Sequence, residues 1–103
     1  MSLDLAMLGE TDEVEESVGI SMAAHWRLFT AAKQYNLLLL QRMADYWGEV
    51  AYSPEEMPRL AEEISTLMSE WGRTHDLFPL LKSLIKLADI AESKGRGLEA
   101  LPD

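Results

Sequence analysis

The sequence predicts an all-α fold: a small helical bundle of three or four helices, five if the first divides, with an acidic N-terminal arm. Three observations predict it. Apolar residues recur every three or four positions through residues 21–47, 54–71 and 77–94, the period of an α-helix. Start and stop residues punctuate those stretches, most plainly Ser53-Pro54-Glu55-Glu56 ahead of the second, with Gly72 and Gly95 after the second and third. A chain of 103 residues that is 48% hydrophobic also has room for one core. The expected organisation is an arm over 1–19, a helical bundle over 20–95 and a tail over 96–103.

The arm stands apart by charge. Residues 1–19 hold Asp4, Glu10, Asp12, Glu13, Glu15 and Glu16 and no base, whereas the rest of the chain carries twelve acids against nine bases. A like-charged block beside a balanced domain reads as a solvated, loosely docked arm. Its apolar residues, Leu3, Leu5, Met7, Leu8, Val14 and Val18, leave a docked segment open.

Ser21 reads as the cap of the first helix. Met22, Trp26, Phe29, Leu28, Ala32, Tyr35, Leu39 and Met43 follow at helical spacing. An unbroken helix to residue 47 would be about 40 Å long at 1.5 Å per residue, which is long for a small domain. Gln34-Tyr35-Asn36 is the expected break, because Asn tolerates a left-handed cap. Ser53-Pro54-Glu55-Glu56 is a capping box, with Tyr52 and Met57 placed as a hydrophobic staple. Met57, Leu60, Ala61, Ile64, Leu67, Met68 and Trp71 form the stripe of that helix. Leu77, Leu80, Leu81, Leu84, Leu87, Ala88 and Ala91 form the stripe of the last. Residues 97–101 are open between an extended edge and a frayed end.

Composition excludes several functions. There is no cysteine, so disulfides, thiolate catalysis and thiolate metal sites are out. A net charge of -9 repels phosphate backbones and anionic lipid, so neither nucleic acid nor a membrane is an expected partner. The longest apolar run, residues 37–40, is far short of the roughly 20 residues that span a bilayer. Asp4, with no Lys or Arg before Arg27, does not make a secretory signal, and the cytoplasm is the expected location.

No residue set points to catalysis, a cofactor or a metal. The two histidines, His25 and His75, have no second histidine at helical spacing. Neighbouring carboxylates such as Glu62 and Glu63 point about 100° apart on a helix and do not converge. Gly95 and Gly97 follow a helix instead of opening one, so they make no phosphate loop.

Two resemblances bear on function. His25, in the run Ala24-His25-Trp26-Arg27-Leu28-Phe29, is similar to the phosphoacceptor of histidine phosphotransfer domains. That resemblance implies a signalling role with Arg27 near the phosphate. It departs from the family where a bulky residue stands at the glycine position. In size and charge the chain also resembles immunity proteins, which implies an acidic, non-catalytic inhibitor covering a basic toxin or nuclease. The expected contact residues are the aromatics Tyr46, Trp47 and Tyr52, with Glu49, Glu55 and Glu56 around them. A helical homodimer is compatible with either.

Overall fold

The computed structural model describes residues 2–44 and 50–102. It is an α+β fold, not an all-α helical bundle. Strands β1 (Ser2–Leu8) and β2 (Val14–Ser21) precede helices α1 (Met22–Gln34) and α2 (Leu38–Gln41), which runs into a 3-10 turn at Arg42–Ala44. Strand β3 (Val50–Tyr52), a 3-10 turn at Pro54–Glu56, helices α3 (Met57–Trp71) and α4 (Phe78–Ser93), and strand β4 (Leu98–Pro102) complete it. The four strands form one antiparallel sheet in the order β2-β1-β4-β3.

The residues read as an acidic arm are therefore a hairpin. Leu3, Leu5 and Met7 alternate along β1 and are fully buried, while Ile20 buries the matching face of β2. Alternation is what a half-buried strand requires. The hairpin turns at residues 9–13, where the Gly9 amide donates to the Glu13 carbonyl at 2.7 Å. Asp12 has φ 63°, a left-handed conformation that Asp tolerates better than most residues. The tail is likewise structural. β4 lies between β1 and β3, pairing Leu5 with Ala100 and Tyr52 with Leu98. At its start Gly97 is obligatory, because a Cβ there would sit 1.9 Å from the Tyr52 carbonyl oxygen.

The helices fall close to where the periodicity puts them. Ser21 caps α1, its Oγ accepting from the Ala24 amide at 3.2 Å. Asn36, at φ 57°, breaks the chain between α1 and α2. The capping box over Ser53–Glu56 is formed, and the Ser53 amide donates to Glu56 Oε1 at 3.0 Å. Gly72 and Gly95, at φ 79° and 66°, follow α3 and α4 in a conformation that costs a side-chain-bearing residue strain. Leu60, Ile64 and Leu67 of α3 and Leu81, Leu84 and Leu87 of α4 pack with the inner face of the sheet in one core. Each such side chain contributes about 1.5–3 kcal/mol of transfer free energy. Among the described residues no helix is long and apolar enough to cross a membrane.

Candidate functional site

Of the six expected contact residues, Tyr46, Trp47 and Glu49 lie outside the described residues. Tyr52 is buried, at 2% exposure. Its hydroxyl donates to the Leu39 carbonyl at 2.6 Å, and burial pushes its pKa well above the usual phenol value. Glu56 is committed to Arg42, whose guanidinium reaches both carboxylate oxygens, one at 2.8 Å. Those bonds, with that from the Ser53 amide, hold the Glu56 carboxyl down at about 2. Glu55 is exposed at the start of this turn. Tyr52 and Glu56 are thus struts, and the aromatic ring expected to meet a partner is core.

His25 is also interior. It is 2% exposed, and its Nε2 donates to the Met43 carbonyl. The bond ties α1 to the 3-10 turn after α2. A phosphoacceptor imidazole has to meet solvent and an incoming phosphoryl group, and this one meets neither. Arg27, expected near a phosphate, is engaged elsewhere.

The surface that does present chemistry lies where α1 faces the α3–α4 connection. Helix α1 buries a face of small residues: Ala24, Ala31 and Ala32 with Leu28. That leaves Trp26, Arg27, Thr30 and Gln34 turned outward, and Trp26 is 52% exposed. These four, with Trp71 and His75 from the end of α3 and the following turn, line a groove of about 380 Å³. Trp71 and His75 stack face to face, centroids 4.2 Å apart and planes 8° from parallel. The Leu77 amide donates to His75 Nδ1 at 3.0 Å and Arg27 Nη2 lies 3.4 Å from His75 Nε2, which fixes the ring against the indole.

An ion pair closes one side of the groove. Arg27 donates from both Nη atoms to Asp76, at 2.7 and 2.8 Å. Those bonds hold the Asp76 carboxyl at about 2 and raise the arginine. Both side chains stay largely in water, 45% and 69% exposed, so the pair is a surface clasp between α1 and the α3–α4 turn. The Trp26 ring is met edge-on, its centroid 5.4 Å from that of His25 and 6.3 Å from that of Phe29. Among the described residues no three His, Asp or Glu side chains are arranged to hold a metal.

The arrangement can bind. It offers an open indole, a stacked aromatic pair and a planar guanidinium, with Thr30 and Gln34 for hydrogen bonds. The periodic reading missed it by assigning Trp26 to the apolar stripe with Met22 and Phe29. A wheel centred on the alanines would have found it, since Trp26 lies about 160–200° from Ala24 and Leu28 at 100° per residue. No protein-family model, curated protein or solved structure matches the chain.

Proposed function

We propose that this chain is a non-catalytic protein-binding domain, an acidic inhibitor of the immunity type that covers a basic partner such as a toxin or nuclease. The observation that carries the reading is Trp26. A tryptophan left half in water, beside a second tryptophan and a bidentate arginine, has the composition of an interface hot spot. The net charge of -9 supports a basic partner by steering its approach. A cysteine-free chain suits the reducing cytoplasm, which is where the domain is proposed to work.

The test begins with the full chain immobilised and loaded with extract of its source cell at low salt. The expected result is retention of a basic protein whose association slows as salt rises from 0.05 to about 0.15 M, where charges are screened over about 8 Å. Trp26→Ala is expected to speed dissociation about 10-fold, equivalent to about 1.4 kcal/mol. Retention of nothing, or binding indifferent to both salt and Trp26→Ala, overturns the proposal.

A further inference from the structure

The two edges of the sheet are unlike. At one edge the described part of β3 is Val50–Tyr52, and Ser53-Pro54 stop it. Proline is one of the devices by which sheets prevent further pairing. At the other edge β2 is eight residues long, Val14–Ser21, with neither proline nor lysine in it. Within the described sheet β2 pairs only with β1. Along residues 16–19, alternate backbone N–H and C=O groups therefore turn away from the sheet, and three of these four residues are exposed. From Ser21 to Glu16 the described ladder is regular; beyond it Leu8 pairs with Val14, which leaves Glu15 as the extra residue of a bulge in β2.

A shallow depression runs beside this edge. Glu16 and Val18 border it from β2, and Lys86, Leu87 and Ile90 border it from α4. Val18 and Ile90 are half-buried and Leu87 is buried, which gives it an apolar floor. An added strand points every second side chain to one face, so long side chains on the face of Glu16 and Val18 would lie over that floor.

We propose that β2 is a docking edge, to which a basic strand of the partner protein adds as the fifth strand of the sheet. This rests on the reading of the chain as a binding domain for a basic protein, and it names the segment that such a protein contributes. Charge selects the occupant. Glu13 and Glu16 are exposed, while Glu15 is satisfied by Arg96 at 2.7 Å and Lys94 at 3.8 Å. A second copy would set two acidic hairpins about 4.8 Å apart, the spacing of paired strands. A strand carrying Lys or Arg at alternate positions instead places opposite charges on the face of Glu16, with the apolar stems of those side chains lying over Val18, Leu87 and Ile90. Ser21 both ends β2 and caps α1, so the edge leads directly into the helix that carries Trp26, five residues on. One partner can therefore take the edge and the indole together.

The test uses the full chain, labelled with ¹⁵N, and two end-blocked peptides of equal length and charge, Lys-Val-Lys-Val-Lys-Val-Lys and Lys-Gly-Lys-Gly-Lys-Gly-Lys. The Lys-Val peptide is expected to shift the amides of residues 16–19 and to slow the exchange of those turned outward about 10-fold or more at saturation. The Lys-Gly peptide, which has little strand propensity, is expected to leave that exchange unchanged. Glu16→Lys, a surface substitution that leaves the core intact, is expected to weaken the Lys-Val peptide several-fold. If both peptides act alike, with no protection of the β2 amides, docking at the edge is overturned while a basic partner stands. If neither binds at low salt, the edge and the basic partner fall together. Sedimentation of the free chain as a dimer with protected β2 amides also overturns the proposal, by giving the edge to a second copy.

Discussion

Two arginine–carboxylate pairs, alike in chemistry, hold opposite kinds of place in this molecule. Arg42 and Glu56 form one, Arg27 and Asp76 the other, and in each both guanidinium Nη atoms reach the carboxylate and hold it near 2. They differ in what stands behind them. Arg42 lies 5.5 Å from the centroid of the buried Tyr52 ring, and Glu56 also accepts from the Ser53 amide. Tyr52 in turn donates to Leu39, whose amide, with that of Leu40, donates to buried Glu63 at 3.1 and 3.0 Å. That pair is continuous with a buried network binding β3, α2 and α3. Arg27 and Asp76 join only two exposed surfaces, and beyond them lie the Trp71–His75 stack and open Trp26. An ion pair's role is set by its support. The first is part of the fold; the second is a clasp at the edge of a groove.

The largest expected effect breaks the supported side of that comparison. Glu63→Ala leaves two buried amides of α2 without acceptors, at about 1–3 kcal/mol each if no water replaces the carboxylate. A loss of about 3 kcal/mol by urea denaturation is expected; an unchanged midpoint would mean that α2 does not depend on this cap. Glu56→Gln is expected to do less and to show itself in pH dependence. The carboxyl is held at about 2 in the folded chain against a usual 4.5, so its stabilisation is complete above about pH 4.5 and is lost as the pH falls through 2. The variant is expected to lose midpoint at pH 7 and to flatten the acid limb between about pH 4.5 and 2. Parallel limbs for the two proteins would show the pair to be idle.

Smallest of all is the expected effect of Arg27→Ala on stability, because the clasp is solvent-screened at both ends. The denaturation midpoint is expected to stay within error of the wild type, while Asp76 is freed and the fluorescence of Trp26 and Trp71 shifts. A clear fall in the midpoint would give this pair the same structural role as the other.

How far the sequence discloses this molecule depends on whether a signal is local. Helix ends are local: Ser21, Asn36, Ser53, Gly72 and Gly95 each act within a turn of the chain, and each stands where its chemistry predicts. Strand pairing is not. β1 takes its second partner from β4, with Leu3 opposite Pro102, and nothing near either residue announces the other. The alternation of Leu3, Leu5 and Met7 is present, but the acids of β2 and its turn dominate a reading by charge. Tyr52 was misplaced for a related reason: its position before a capping box suggests a loop, whereas pairing with Leu98 draws it into the sheet. At the groove, size misled. An alanine face is faint in any count of hydrophobic residues, yet small side chains are what let α1 pack closely, and the bulkier Trp26 is left outside.

The central claim is that the groove beside the exposed clasp is where this chain meets its partner, and Trp26→Ala tests it most directly when binding and stability are measured on the same preparation. The account predicts a dissociation rate about 10-fold faster from the captured basic partner, with an unchanged denaturation midpoint, because a half-exposed indole contributes little to the core. An unchanged dissociation rate would contradict it, and so would a loss of binding that merely follows a fall in stability.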